Sequence, residues 1–276
     1  MLYLRDVPDF NSFETTYEDI FYYDKPFVFA DSISKFPRLV WFFFKALNRV
    51  MFDKTSDLAH ALPEEPGDGK SILDIGCSDG QKLMRYYKNG YEVFGLDVNE
   101  AALKKAHEAM PKANFKQGVL SKDTYPASSF DFIRVDNTLE HVYEPVKFLK
   151  FVKRILKPSG TLYIYVPNGN SLLFKVFGKY SSHSWVPFHV NQFSPNTIRR
   201  GLEVSGFRRI KIRTLPSPHA VILSIRQLRG NINIRYGVTN HNNTLKSYLF
   251  ELLISPITNL IGRLGFGEEI FVVAQK

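Results

Sequence analysis

Short apolar runs alternate with amphipathic stretches through the centre of the chain. The apolar runs predict strands at residues 70–75, 91–96, 113–117, 130–135 and 161–166. The stretches between them predict helices that end near residue 87 or span residues 99–110 and 144–156. A turn is expected at residues 157–160, where the sequence reads Lys-Pro-Ser-Gly. Such alternation is typical of a parallel sheet that helices cover on both faces, so the pattern predicts a doubly wound α/β fold.

The rest of the chain completes this fold and adds segments outside it. Ser194-Pro195-Asn196 predicts the start of a helix that ends near residue 205, and apolar runs at 207–214 and 269–274 predict the last two strands. We therefore expect a seven-stranded, mostly parallel, Rossmann-like sheet over residues 70–276 and a helical extension or lid at 1–69. Insertions are expected at 168–192 and 216–268. The second insertion contains an apolar helix candidate at 245–264, which Pro256 is expected to break.

Composition limits where the protein works and with what it interacts. The single cysteine, Cys77, excludes an internal disulfide and fits a reducing cytoplasm. No signal peptide is expected, because the first ten residues carry two acids and no apolar core. No apolar run approaches the ~20 residues that a membrane-spanning helix needs. We expect a cytoplasmic protein, either soluble or peripheral at the inner face of the membrane, and its net charge of +9 favours anionic partners.

A glycine-containing loop follows the first predicted strand of the sheet and reads Asp74-Ile-Gly-Cys-Ser-Asp-Gly80. Ligands of doubly wound sheets bind at this edge, where glycines let the backbone approach a ligand and a helix N-terminus offers free N–H groups. Asp97 ends the second strand, 21 positions after Gly76, close to the offset of an acid that binds ribose hydroxyls. The loop and the acid together predict a nucleoside site.

The same residues allow three other interpretations of this loop. A pyrophosphate-containing dinucleotide is less expected because Gly-x-Gly-x-x-Gly is absent. Residues 76–80 also fit Gly-x-Ser-x-Gly, the nucleophile elbow of hydrolases, with Ser78 as the nucleophile. That elbow normally follows several strands and an oxyanion-hole loop, whereas this loop opens the sheet. A tight turn with incidental glycines is the remaining interpretation.

Several ordered motifs resemble those of class I S-adenosylmethionine-dependent methyltransferases. They comprise the glycine loop at 72–80, the second strand at 93–97, the fourth strand and its continuation at 130–142, the fifth strand at 156–168, and the helix that enters the sixth strand at 194–207. The resemblance runs from about residue 70 to 214 and resumes at the last strand. It implies the Rossmann-like methyltransferase fold and S-adenosylmethionine as cofactor.

The resemblance also implies roles for individual residues. Asp74 would hold the methionine end of the cofactor, Asp97 would bind the ribose, and Asp136 or Asn137 would border the methionine portion. The remaining cofactor-binding residues expected from the loop and the adenine site are Gly76, Cys77, Ser78, Gly80, Val98, Gly118 and Val119. Two positions depart from the family. Ser78 stands where glycine is frequent, and Val119 follows Gly118 where an acid often binds the adenine amine.

The chemistry of methyl transfer needs alignment of a nucleophile, and a hydroxyl acceptor benefits from a general base. Candidates are Glu140 and His141 after the fourth strand, and His183 and His189 in the aromatic insertion after the fifth. His189 is expected to face the transferred methyl, with packing as the alternative. The Glu140-His141 pair together with a later histidine also resembles the metal-ligand sets of ubiquinone-biosynthesis and small-RNA methyltransferases. Since Asn137 stands where the small-RNA family has a glutamate, we predict no metal.

The substrate is less constrained. The leading hypothesis is O-methylation of a small-molecule, glycan or lipid-linked hydroxyl. An RNA methyltransferase is the alternative that the charge suggests, although no RNA-binding module or clustered Lys/Arg run is present. A non-catalytic nucleoside-binding protein is a further alternative. Amphipathic or apolar segments at 38–52, 172–180 and 245–264 are expected either to form a lid over the site or to contact a membrane surface.

Overall fold

The computed structural model describes residues 2–3, 67–185, 188–230 and 245–276. The extension predicted at 1–69 lies outside the described residues apart from 2–3 and 67–69, and so does the helix expected at 38–52.

The described part contains the seven predicted strands close to their expected positions and two short strands, β1 and β7, that were not predicted and pair with each other. They are β1 Leu2–Tyr3, β2 Ser71–Ile75, β3 Glu92–Asp97, β4 Asn114–Gln117, β5 Phe130–Asp136, β6 Leu156–Pro167, β7 Asn191–Gln192, β8 Arg208–Leu215 and β9 Glu269–Gln275.

Helices separate most of these strands. They are α1 Met84–Lys88, α2 Glu100–Ala109, α3 Pro145–Ile155, α4 Leu172–Phe177, α5 Pro195–Val204, α6 Pro218–Leu228 and α7 Leu245–Ile261. Short 3₁₀ turns span Leu139–His141 and Gly178–Tyr180, and a π-helical turn, Gly262–Phe266, follows α7. None of the helices in the described ranges is long and apolar enough to cross a membrane.

Within the described residues, seven strands form one sheet in the order β4-β3-β2-β5-β6-β9-β8. Neighbours from β4 to β6 are parallel, whereas β9 runs antiparallel to both β6 and β8. This confirms the predicted seven-stranded, mostly parallel sheet. Because β9 is reversed, its first residue, Glu269, pairs with Pro167 at the end of β6. Glu269 therefore lies at the carboxyl edge of the parallel strands, where ligands of this fold class bind.

Two apolar clusters hold the sheet between its helices. On β2, Leu73 belongs to the cluster that α3 and α5 complete, whereas Ile72 belongs to the cluster that α1 and α2 complete. Successive strand side chains point to opposite faces, so this division shows a sheet buried on both sides. All five side chains of β2 are buried, which fixes the strand that leads into the glycine loop.

Helix starts follow local sequence signals. Ser194 caps α5 in a capping box with Thr197, as the Ser-Pro-Asn sequence predicts. Asn99 caps α2 by accepting a hydrogen bond from the backbone N–H of Ala102. That cap directly follows the end of β3, so it fixes the position of Asp97 relative to the helix.

The turn predicted at residues 157–160 is instead a bulge inside β6. Leu156 pairs with Phe130 and Thr161 pairs with Phe132, so β6 carries extra residues between the two pairs. Leu156 is fully buried against β5, which explains why pairing begins before the Lys-Pro-Ser-Gly segment rather than after it.

The late insertion differs from expectation in two ways. Pro256 does not break α7, which continues through it to Ile261. A proline removes one backbone hydrogen bond. Around it, the hydroxyl of Ser255 donates to the Glu251 carbonyl at 2.6 Å, and that of Thr258 donates to the Ser255 carbonyl at 3.1 Å. The same insertion also contains α6, which the sequence analysis did not predict.

Candidate active site

The glycine loop joins the end of β2 to the turn before α1. Gly76 has a φ of +79°, and a Cβ there would overlap the Thr138 hydroxyl. That hydroxyl donates to the Ile75 carbonyl at 3.1 Å, so the loop is held against the chain that follows β5. Only glycine fits this close approach. Ser78, the position where the family often has glycine, also adopts a left-handed conformation with a φ of +49°.

Asp97 fastens the other side of the loop. Its Oδ2 accepts a hydrogen bond from the Ser78 N–H at 2.7 Å, and its Oδ1 accepts one from the Asn99 N–H at 2.9 Å. A carboxylate has about four acceptor positions. The two backbone bonds therefore orient Asp97 and leave lone pairs for a vicinal diol, which fits the ribose role expected from the sequence.

The expected adenine site lies beside Asp97. The Gly118 N–H donates to the Asp97 carbonyl at 2.8 Å, and the Gln117 side-chain amide donates to the Val98 carbonyl at 3.2 Å. Val119 is exposed, and no acid occupies this position. No carboxylate is therefore available at position 119 for the adenine amine, and backbone groups are expected to bind it instead. Cys77 is buried below the loop, and burial raises the pKa of its thiol, so it behaves as an apolar core residue.

A buried charge cluster lies where the methionine portion of the cofactor is expected. Asp74 on β2 and Arg134 on β5 are paired in register, and Nη1 of Arg134 lies 3.8 Å from Oδ2 of Asp74. Arg134 also forms an ion pair with Asp136, two residues further along β5. Lys82 extends from the turn before α1 and places its Nζ 2.6 Å from Oδ2 of Asp136. We call these four residues the charge cluster.

The two acids of the charge cluster differ in how many of their carboxylate oxygens have hydrogen-bond partners. Oδ2 of Asp136 contacts both cations, and its Oδ1 accepts a hydrogen bond from the Asn137 amide at 2.9 Å. Oδ1 of Asp74 is buried and has no hydrogen-bond partner among the described residues. Burial raises the pKa of Asp74 to about 7, although Arg134 opposes the shift. A buried acceptor without a partner marks Asp74 as a place for a donor from a ligand.

Two residues of the charge cluster, Lys82 and Arg134, were not predicted from the sequence. Arg134 carried a signal, because it is a charged residue inside an otherwise apolar strand pattern and is only 5% exposed. Such a residue needs a buried partner, and the acids at 74 and 136 were the available ones. Lys82 carried no comparable signal, since an exposed lysine near a helix start is ordinary in sequence.

A second cluster brings together the predicted catalytic residues. Glu140 and His141 lie in the 3₁₀ turn after β5, and His189 lies in the segment that precedes β7. Nε2 of His189 is 3.9 Å from Oε1 of Glu140, and the rings of His141 and His189 have centroids 4.9 Å apart. One nitrogen or oxygen atom from each of the three residues lies within 4.8 Å of the others. We call these three residues the Glu-His-His cluster.

Burial favours the uncharged forms of the residues in the Glu-His-His cluster. It raises the pKa of Glu140 well above its ordinary value, and both carboxyl oxygens lack partners among the described residues. Burial also lowers the pKa of His141 to about 4, and burial together with the neighbouring His141 lowers that of His189. Nδ1 of His189 lies 3.0 Å from the His183 carbonyl, which can only accept, so Nδ1 carries the proton. The lone pair of His189 is therefore on Nε2.

His183, the other candidate base, forms a separate pair. Its Nε2 lies 2.8 Å from Oε1 of Glu269 at the start of β9. Burial alone would lower the pKa of His183, but the Glu269 carboxylate outweighs burial and the pKa lies above its ordinary value. The structure thus brings Glu140, His141 and His189 together and places His183 with a different carboxylate.

The residues present fit S-adenosylmethionine. The loop requires glycine at its closest approach, Asp97 offers acceptors for a diol, and Asp74 offers an orphaned acceptor for an ammonium. The Glu-His-His cluster has the donor atoms and spacing that a single metal ion could bridge. The expectation that no metal is used stays a prediction.

The chain is similar to known methyltransferases. A family model described as "Methyltransferase domain" matches residues 44–212. A ubiquinone biosynthesis O-methyltransferase of Marinobacter nauticus is 30% identical over 154 residues, which cover 49% of this chain and 65% of that protein. The Bordetella avium protein of the same name is 26% identical over 207 residues, covering 69% and 81%. The chain spans about half to two thirds of the length of the first curated relatives that it matches.

Solved structures show the same fold. A SAM-dependent methyltransferase from Archaeoglobus fulgidus has a TM-score of 0.54 and 21% identity, and the superposition covers 85% of this chain and 100% of that one. A Haemonchus contortus phosphoethanolamine N-methyltransferase 2 in complex with S-adenosyl-L-methionine has a TM-score of 0.53 and 17% identity, covering 85% and 60%.

Proposed function

Because the chain belongs to the methyltransferase-domain family and its donor is S-adenosylmethionine, we propose that it methylates a hydroxyl oxygen of a small-molecule, glycan or lipid-linked acceptor. The sulfonium of the cofactor supplies the methyl group. What the chain must supply is a cofactor cradle, an aligned acceptor and a base for the hydroxyl proton.

The observation that carries this proposal is the neutral His189 beside a buried Glu140 at the carboxyl edge of the sheet. With its proton on Nδ1, His189 presents an unprotonated Nε2 that can accept the proton of a hydroxyl. A lowered pKa keeps the imidazole in this form at neutral pH. In its protonated form, which burial favours, Glu140 can donate a hydrogen bond to the acceptor. An amine acceptor would need such a base less, because its lone pair is available once it is unprotonated.

The charge cluster would hold the amino-acid end of the cofactor. Oδ1 of Asp74 would accept from the α-ammonium, and Lys82 would bind the α-carboxylate. Lys82 is suited to this because its side chain is 47% exposed while Asp136, its partner, already has Arg134 as a second cation. Asp97 would accept from the ribose hydroxyls through the lone pairs that its backbone bonds leave open.

The surroundings of the Glu-His-His cluster favour an acceptor with an apolar or ring-shaped part. The Trp185 ring lies 5.3 Å from that of His189 and 6.1 Å from that of His141, and the Phe188 ring lies 5.4 Å from Trp185. Aromatic side chains pack well against sugar rings and lipid-like groups. The ubiquinone-biosynthesis relatives carry names that include O-methylation, which also supports oxygen as the acceptor atom.

The test is to follow the methyl label. Purified protein and methyl-labelled S-adenosylmethionine are incubated with the aqueous small-molecule, lipid, glycan and RNA fractions of a strain that lacks the gene. Label in the lipid, glycan or small-molecule fraction, located on oxygen by NMR, is the expected result. Label on nitrogen or carbon, or in RNA, would contradict the proposal. Cofactor binding without label in any fraction would instead indicate the non-catalytic alternative.

A further inference from the structure

The helix α7 and the turn after it expose a row of large apolar side chains. Their exposed fractions are 39% for Phe250, 74% for Leu253, 62% for Ile257, 59% for Leu260 and 65% for Leu264. The spacing of three, four, three and four residues places them on one helix face. In a globular protein such a face normally packs into the core, so its exposure needs an explanation.

The opposite face of α7 is the polar one, and it points inward. Ser255 and Thr258 are about 95% buried, with exposed fractions of 5% and 4%. Oε1 of Glu251 lies 2.8 Å from Nδ1 of His219 on α6. After the helix, the Gly262 carbonyl accepts from the Thr214 hydroxyl on β8 at 2.6 Å. These contacts fix the rotation of the helix, so its apolar face is directed outward by the packing of its polar face.

The apolar surface continues onto α4. Lys175 places its Nζ 4.9 Å from the centre of the Phe266 ring. This contact joins α4 to the turn after α7. Leu172 and Val176 on α4 are 41% and 67% exposed. We call the combined surface the apolar face; it consists of Leu172, Val176, Phe250, Leu253, Ile257, Leu260, Leu264 and Phe266.

The charged residues in the segments that form most of the apolar face are all basic. The nearest acid in the sequence is Glu251, beside Phe250, and it pairs with His219 on the inward side of α7. The sequence has no acid between residues 171 and 180 or between 252 and 267, whereas Lys175, Lys179 and Arg263 lie in these segments. Arg263 lies between Leu260 and Leu264 in the sequence, and Lys175 stands over the Phe266 ring of the apolar face. A large apolar face with basic residues at its margin complements a surface that is apolar below and anionic above, which describes an anionic bilayer.

We propose that the apolar face docks the protein on an anionic lipid bilayer, with α7 lying in the interface rather than crossing the membrane. The described helices are too short or too polar to span a bilayer, which fits an in-plane arrangement. The proposal deepens the proposed function, because docking would place the site beside a lipid-linked acceptor, but binding itself needs neither cofactor nor acceptor.

The experiment is vesicle flotation with the full chain. Vesicles contain either phosphatidylcholine alone or phosphatidylcholine and phosphatidylglycerol in about equal parts. We expect the wild type to float with the anionic vesicles and to lose much of this binding at high salt. Leu253→Ser and Ile257→Ser should each weaken binding by several-fold, and the double variant by about tenfold or more. Val204→Ser is the matched control, because Val204 on α5 is 58% exposed and far from the row in sequence; it should float like the wild type.

Three outcomes would overturn the proposal. The first is no flotation of the wild type with anionic vesicles. The second is equal flotation of wild type and double variant. The third is a wild-type dimer that the double variant converts to a monomer without any vesicle binding, which would make the apolar face an interface between two copies. An equal rise in melting temperature with S-adenosylhomocysteine in all variants establishes that they are folded. Because no methyl transfer is measured, failure here is distinguishable from failure of the O-methylation proposal.

Discussion

Nζ of Lys82 lies 2.6 Å from Oδ2 of Asp136, although the two residues are 54 positions apart and only the lysine reaches solvent. The contact links the turn before α1 to the end of β5 across the place where the methionine portion of the cofactor is expected. Arg134 neutralises the same carboxylate from within the sheet. The ammonium of Lys82 can therefore serve a second anion without leaving Asp136 unpaired.

Lys82→Met should weaken S-adenosylmethionine binding by about tenfold or more, since a charge-assisted hydrogen bond contributes ~1.5–3 kcal/mol. The sharper measurement compares two ligands by calorimetry, S-adenosylmethionine and its decarboxylated analogue. Wild type should prefer the ligand that has the carboxylate. In Lys82→Met this preference should largely disappear, because the group that recognises the carboxylate is gone.

The matched control for Lys82 is Lys88→Met, which alters an exposed lysine at the end of α1, the helix that follows Lys82. It should leave both affinities unchanged. If Lys82→Met keeps the full preference for the carboxylated ligand, Lys82 acts only on Asp136, and its assignment to the cofactor is wrong.

Asp97→Ala should lower cofactor affinity by about tenfold or more. The structure gives two reasons: the ribose loses its acceptor, and the Ser78 N–H loses the carboxylate that fixes the loop. In Asp97→Asn the amide oxygen can still accept a hydrogen bond but carries no charge. The cofactor affinity of this variant should therefore lie between those of the wild type and Asp97→Ala. Calorimetry with S-adenosylhomocysteine measures this. An unchanged affinity in Asp97→Ala would remove Asp97 from the site.

The features that the sequence predicted depend on neighbours along the chain. The glycine loop, the acid after β3 and the Ser194 cap are each determined by a few adjacent residues and by the strand–helix alternation. The pairing of Lys82 with Asp136 and of His183 with Glu269 depends on which strands become neighbours and on the reversal of β9. Pro256 failed as a helix breaker for a similar reason, because the tertiary packing of α7, which includes the Glu251–His219 contact with α6, outweighs one missing backbone bond.

Cofactor binding should depend on pH through Asp74. Its pKa is raised to about 7 chiefly by burial, so the carboxyl is mostly protonated at pH 6 and mostly ionised above pH 7. An α-ammonium binds the ionised form, so affinity for S-adenosylhomocysteine should fall several-fold between about pH 7.5 and pH 6. The stability of the free protein should change with pH in the opposite direction. A carboxyl whose pKa is raised on folding contributes stability that is complete below its pKa in the unfolded chain, and this contribution is lost as the pH rises through about 7.

Asp74→Asn supplies the control for this dependence. The amide does not titrate, so the variant should bind more weakly at pH 7.5 and show a flat profile down to pH 6. Calorimetry across that range measures both proteins. A wild-type profile that is already flat, or an identical slope in Asp74→Asn, would assign the ammonium to another acceptor.

His189 decides between three explanations of the Glu-His-His cluster. As a general base it should be needed for turnover, so His189→Ala and His189→Gln should both lower turnover by about 10²–10⁴-fold with cofactor affinity nearly intact. The wild-type rate should rise with pH through a group below the ordinary histidine pKa, because burial and His141 lower the pKa of His189, and both variants should lose that rise.

A packing role and a metal role predict other patterns for the same variants. If His189 only fills space and bonds to the His183 carbonyl, His189→Ala should lower the melting temperature while His189→Gln keeps most of the activity. If the cluster binds a metal, a chelator should abolish wild-type activity, and Glu140→Ala and His141→Ala should lose activity as His189→Ala does. The activity of His189→Gln and the response to a chelator differ among the three roles. Turnover measured with one identified acceptor is therefore enough to distinguish them. Near-wild-type turnover of a folded His189→Ala protein would exclude His189 from proton transfer. It would leave His141 as the base of the cluster, because its Nδ1 lies 2.9 Å from the Phe188 carbonyl and its Nε2 therefore also carries a lone pair.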